Sequence, residues 1–166
     1  YISTVREVTI EGEGRATVAL VDRTQEIKVE LERKNAMTFD RVWVVFDKDD
    51  FSNHDFNEAI RLAEANGFLV AYSNQAFEYW FLLHFNMYRG FIHRNDYEQM
   101  LSQLLKVKYC KKDYFATKVY GMLLPRQIDA IARARKIHAE FANVPPSHAV
   151  SSTTVYKLVE ELNKFI

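Results

Sequence analysis

The sequence predicts an α/β fold, a parallel sheet flanked by helices, followed by a mainly helical C-terminal half. Three observations carry this. Short apolar runs rich in β-branched residues alternate with segments of helical period as far as Ser73. Gly, Ser and Asn punctuate the joins between them. Beyond Ser73 no further strand pattern recurs. Such alternation calls for right-handed βαβ crossovers and a parallel sheet covered on both sides.

In chain order, VREVTI (5 to 10) predicts a short strand, GEG (12 to 14) breaks it, and Ala16 to Lys34 carries apolar residues at helical spacing, at Leu20, Val21, Ile27 and Leu31. VWVVF (42 to 46) is a continuous apolar run of the kind buried on both faces of a sheet. A Ser/Asn loop follows, then the helix DFNEAIRLAEAN, closed by Gly67, and the strand FLVAY (68 to 72). NQAFEYWFLLHF is apolar nearly all round, as a buried helix would be. Asn95 and Glu98 form a capping-box-like start to YEQMLSQLL, and two or three more helices follow to Ile166. PPSHAVSST (145 to 153) reads as a loop that introduces a final helix at about Thr153. The expected division is an α/β core over residues 1–90 and a helical extension over 91–166, packed as one domain.

At 166 residues, 48% hydrophobic and 14% aromatic, the chain has the composition of a globular protein. Cys110 is its only cysteine, so neither an internal disulfide nor a cysteine zinc site is expected. No run approaches a membrane span, and YISTVREV lacks the basic and apolar regions of a signal peptide, which predicts a cytoplasmic protein with no membrane partner. The chain opens on Tyr1 rather than Met and enters an apolar run at once, as a sequence lacking its beginning would. The net charge of zero hides a division: residues 1–100 carry 11 Lys and Arg against 17 Asp and Glu, residues 101–140 carry 9 against 3. A metal site beside a polyanion-binding surface needs this separation, and solvated helix faces also produce it.

Ligands bind at the carboxyl ends of strands in open parallel sheets, and Asp47, Asp49 and Asp50 fall there. If the chain stays extended, the period of two sets Asp47 and Asp49 on one side, where two hard oxygen ligands converge on Mg²⁺ or Mn²⁺ with Asp50 nearby. The alternative is that Asp50 and Asp55 are turn and cap residues of the next helix. Other acidic-strand enzymes are excluded by their missing parts. There is no phosphate loop, since Gly12-Glu13-Gly14 is too short and lacks a lysine, and no Thr stands two residues after Asp49 as a haloacid-dehalogenase phosphatase requires.

SNQAFEYWFLLHF (73 to 85) sets Asn74 and Glu78 four apart on one face of an otherwise aromatic and aliphatic helix. A carboxylate in such surroundings is either satisfied locally or part of a site. His84 reads as a hydrogen-bonded core histidine or as support for a site, and Trp80 as packing.

VWVVFDKDDF followed by SNQAFEYWFLLHF resembles the RloB family, whose members are similar to Toprim-fold metal-dependent nucleases of prokaryotic antiviral defence. The likeness is strongest over residues 40 to 90. It implies a Toprim-like sheet in which Asp47, Asp49 and a Glu on an earlier strand bind Mg²⁺ for phosphodiester chemistry, with Glu78 assisting and Asn74 and His84 as candidate supports. The earlier Glu is expected upstream of Tyr1, with Glu11-Gly12 the mimic of its pattern inside the chain.

Lys106, Lys108, Lys111 and Lys112, interleaved with Tyr109 and Tyr114, suit a nucleic-acid backbone with a tyrosine stacked on a base, or else form a solvated face. Arg126, Asp129, Arg133, Lys136 and Glu140 have the spacing of ion pairs on one helix. The expected function is a Mg²⁺- or Mn²⁺-dependent nuclease acting on RNA or DNA in defence, alongside a partner protein encoded with it. The rivals are a non-catalytic nucleic-acid- or protein-binding regulatory module and a nucleotide phosphotransfer enzyme.

Overall fold

The computed structural model describes residues 17–165. The strand expected at 5–10, the glycine loop and Glu11 lie outside the described residues. Helix α1 (Thr17–Asn35) is followed by strand β1 (Trp43–Asp47), helix α2 (Asn53–Ala65) and strand β2 (Leu69–Ser73). The two strands pair in parallel, from Trp43 opposite Leu69 to Asp47 opposite Ser73, so α2 is the crossover of one βαβ unit. Ser52 starts α2 by accepting the Asp55 amide at 3.0 Å, and Gly67, at φ +75°, ends it in the left-handed conformation that a side chain would strain.

The period of two divides the strands between two apolar clusters. Val44, Phe46 and Tyr72 face α1 and α2, packing with Val21, Phe56 and Ala63. Ala71 faces the helical half, with Trp43 at its border. Burial of VWVVF on both faces was the expectation, but Val45 is 42% exposed, because among the described residues the helical half covers Ala71 and leaves Val45 open. Asp47 shares the face of Val45 and is thereby turned toward the helical half.

That half comprises α3 (Glu78–Leu82), α4 (Tyr97–Leu105), α5 (Asp113–Leu123), α6 (Gln127–Glu140) and α7 (Val155–Leu162) around Tyr79, Leu82, Tyr97, Leu101 and Ala134. Helix α4 covers YEQMLSQLL as expected, but Asn95 does not cap it. Asn95 lies within a 3₁₀ turn, Arg94–Asp96, and its amide donates to the His93 ring. The NQAFEYWFLLHF segment is helical only from Glu78, since Gln75 sits at φ +82° and breaks any earlier start.

Residues 145–154 are more than a loop. Thr153 forms an antiparallel bridge to Ser73, the Thr154 amide donates to the Tyr72 carbonyl at 2.8 Å, and the Asn74 amide donates to the Ser152 carbonyl at 2.8 Å. The Thr154 hydroxyl in turn accepts the Tyr72 amide at 2.9 Å. The segment supplies β2 with its second neighbour, and Ser151, Ser152, Thr153 and Thr154 are all buried there. Helix α7 begins at Val155, close to the expected start. Among the described residues no helix is long and apolar enough to cross a membrane.

Candidate functional site at the carboxyl end of the sheet

Strand pairing continues past β1: the Lys48 amide donates to the Ser73 carbonyl at 2.9 Å and the Asp49 amide to the Gln75 carbonyl at 3.1 Å. There the chain turns, with Asp49 at φ +45°. The backbone is not extended through Asp49, so the period of two does not place its side chain, although its charge still acts on the Asp47 carboxyl. Asp47 stays turned toward the helical half. Asp49 and Asp50 instead meet Arg94, each at 2.5 Å from a different guanidinium nitrogen. Asp50 is thus not the cap of α2, a place taken by Ser52.

Glu78, the first residue of α3, is buried. Its Oε1 accepts the Tyr109 hydroxyl at 3.0 Å and pairs with the Lys111 ammonium at 3.0 Å. Burial of a carboxylate is costly unless it is paired and hydrogen-bonded, and these two donors meet that need. Asp47 is less well provided for. Burial, the largest cause, pushes its carboxyl up to about 7; a hydrogen bond from the Phe77 amide works the other way, while Asp49 and Glu78 raise it and Lys111 lowers it. Three carboxylates and Lys111 thus share one electrostatic neighbourhood. Tyr97, fully buried at the start of α4, has the one buried side-chain hydroxyl without a hydrogen-bond partner among the described residues. After burial, the charges that most disfavour its ionisation are those of Glu78 and Asp47.

A cleft of about 720 Å³ opens beside these groups, lined by Asp49, Phe51, Arg94, Asn95, Glu98 and Lys111 among others. Among the described residues no three His, Cys, Asp or Glu side chains gather as a ready metal cage. The donor chemistry still fits a hard cation: Mg²⁺ is commonly held by one or two carboxylates together with waters and substrate phosphate, and Asp47 and Glu78 supply one half-buried and one buried carboxylate.

The family model described as RloB-like protein matches residues 2–162. The chain belongs to the RloB-like family. No curated protein and no solved structure matches it.

The remaining candidates of this RloB-like chain divide between structure and site. Asn74 is buried, and its side-chain amide donates to the Pro146 and Ser147 carbonyls at 3.0 and 3.2 Å, so it ties down the 145–154 segment and does not share a helical face with Glu78. His84 is a core histidine: its ring meets the Trp80 carbonyl at 3.0 Å, and burial lowers it to about 4. Lys106, Lys108 and Lys112 are exposed. Lys111 departs from that row to reach Glu78. Tyr109 is buried among Phe81 and Phe115 and is no platform for a base, while the side chain of Tyr114 lies outside the described set. On α6, Asp129 and Arg133 pair as their spacing predicts, but Glu140 pairs with Arg89 across the fold.

Sequence reasoning missed Arg94, Tyr97 and the role of Tyr109. Arg94 stands 45 positions from Asp49, and no local period links them. The available signal was Tyr97 and Leu101, four apart, which mark the inward face of α4 and bring Arg94 to its leading end.

Proposed function

We propose that this RloB-like chain is a divalent-cation-dependent nuclease that cleaves phosphodiester bonds of RNA or DNA in prokaryotic antiviral defence. The observation that carries the proposal is the placing of Asp47 at the carboxyl end of a parallel strand, half-buried beside Asp49 and Glu78. An enclosed group of carboxylates is unstable without a counter-charge, and a hard cation supplies it. The parallel β1–α2–β2 unit with an acidic strand end also supports a Toprim-like sheet, whose further Glu the resemblance assigns to an earlier strand.

In this proposal Asp47 and Glu78 hold Mg²⁺ or Mn²⁺, joined by Asp49 once it leaves Arg94. When bound, the ion stabilises charge on a phosphoryl oxygen and lowers the pKa of an attacking water. The chain's own residues set the conditions. The Phe77 amide fixes Asp47, Tyr109 orients Glu78, and Lys111 balances its charge until ligand arrives. The setting proposed is the cytoplasm.

The test is cleavage of an RNA and DNA panel with Mg²⁺ or Mn²⁺ by the protein in its natural full length, compared with the Asp47→Asn, Asp49→Asn double variant. Cleavage by the wild type and its steep loss in the double variant are expected; equal rates would rule out this site. A second reading, a non-catalytic binding module, is favoured by Arg94 and Lys111 already neutralising Asp49, Asp50 and Glu78. Binding across the panel without cleavage would establish it.

A further inference from the structure

We infer that Arg94 and Lys111 are the phosphate-binding half of this site, held in reserve on its carboxylates and transferred to a nucleic-acid phosphate when a divalent cation takes those carboxylates over. The inference rests on the reading of Asp47, Asp49 and Glu78 as the cation's ligands.

Three observations support it. First, the two cations contact the very carboxylates a metal ion would need, so an ion entering there competes with them. Second, the hold on each is loose on one side. Arg94 is only 25% exposed while Asp49 and Asp50 are 53% and 91% exposed, and Lys111 is 57% exposed over a Glu78 that keeps the Tyr109 hydroxyl if the lysine leaves. Exposed ion pairs contribute about 0–1 kcal/mol, so exchange of Arg94 partners costs little, while Lys111 leaves buried Glu78 only as the incoming cation replaces its charge. The Arg94 fork, already spread over two carboxylates, has the geometry that takes two oxygens of one phosphate. Third, the buried Tyr97 hydroxyl lacks a partner, although its main charged influences are Glu78 and Asp47. A buried orphan donor is costly and calls for an explanation such as an ordered water or a bound ion. The cleft that Arg94 and Lys111 share, at about 720 Å³, has room for a nucleotide unit with its phosphate.

Competition of this kind makes cation and phosphate binding mutually reinforcing, since each removes the other's rival, and the coupling must be reciprocal. The experiment uses the full-length protein, a short phosphorothioate-linked oligonucleotide that resists cleavage, and Mn²⁺ followed by its electron paramagnetic resonance signal. In the wild type, saturating oligonucleotide is expected to tighten Mn²⁺ binding by about fivefold or more, and Mn²⁺ to tighten oligonucleotide binding by the same factor. Arg94→Ala and Arg94→Gln are expected to bind Mn²⁺ alone more tightly than the wild type, to bind oligonucleotide about tenfold more weakly, and to lose most of the coupling. Lys111→Ala follows the same pattern at some cost in stability, since buried Glu78 then keeps only the Tyr109 hydroxyl, while the Arg94 variants keep their fold because the carboxylates that Arg94 pairs with are exposed.

If Mn²⁺ binds the wild type and is lost in Asp47→Asn, yet the Arg94 and Lys111 variants match the wild type in both affinities, the inference is overturned and the cation site stands. If Mn²⁺ does not bind, or Asp47→Asn leaves its binding unchanged, the cation site fails and this inference with it.

Discussion

Replacing Asp47 with Asn should stabilise the metal-free protein at pH 8 and leave it unchanged at pH 4. The Asp47 carboxyl is raised from 3.8 to about 7. The native state therefore holds the proton more tightly than the unfolded chain, so this contribution to stability is full below pH 3.8 and is lost as pH rises to about 7. At roughly 1.4 kcal/mol per pH unit the whole interval amounts to about 4 kcal/mol, and partial exposure reduces the expected gain for the neutral isostere at pH 8 to about 2–4 kcal/mol. His84 acts in the opposite sense over nearly the same range. Lowered from 6.5 to about 4, it contributes stability above pH 6.5 that is lost as pH falls toward 4. The two trends offset each other in the wild type, whose profile should be nearly flat, while Asp47→Asn should weaken steadily on acidification. Urea unfolding between pH 4 and 8, followed by the fluorescence of Trp43 and Trp80, reads the difference directly. A variant less stable than the wild type at pH 8, or a difference that is the same at both ends, would refute the picture of Asp47 as a carboxylate held at a cost.

Tyr109→Phe removes a hydrogen bond to buried Glu78 and should destabilise the fold by about 1–3 kcal/mol in urea titrations. Asn74→Ala strands the Pro146 and Ser147 carbonyls; a loss of about 2 kcal/mol is expected, with faster hydrogen exchange at the Thr154 amide, and unchanged exchange would show that the segment holds itself. Tyr97→Phe deletes an unpartnered buried hydroxyl and should raise the unfolding free energy by about 1 kcal/mol. A loss of stability there would mean that the hydroxyl has a partner in solution.

The elements whose chemistry is local were legible. Trp43 to Asp47 announced a strand through β-branched density, DFNEAIRLAEAN a helix through its period and glycine stop, and Asp47 a carboxylate at the end of that strand. Glu78 was placed at the same edge because its helix had to start where β2 ends. What escaped depended on single backbone angles or distant pairs. The positive φ of Asp49 and Gln75 carries no composition signal, since neither is glycine, yet one redirects a carboxylate and the other delays a helix. Tyr109 looked available for stacking because its lysine neighbours are exposed, and only its place between Phe81 and Phe115 buries it. The polar run Ser151 to Thr154 looked like loop because hydroxyls usually face water. Here each of these residues is buried, with hydroxyl bonds running from Ser151 to Gly90, from Ser152 to Ala149, and from Thr153 and Thr154 to β2.

The bridge between Ser73 and Thr153 also sets an order of assembly. During synthesis β1, α2, β2 and α3 leave the ribosome well before Thr153 does, so a nascent chain carries its acidic residues with the outer edge of β2 still bare. Joining that edge closes a loop of some 80 residues, an entropic cost on the order of 4 kcal/mol, which makes it a late event. The frame around Asp47 and Glu78 thus sets only after Thr153 has been made, and a chain stopped at Val150 would bear the carboxylates without the masonry that aligns them.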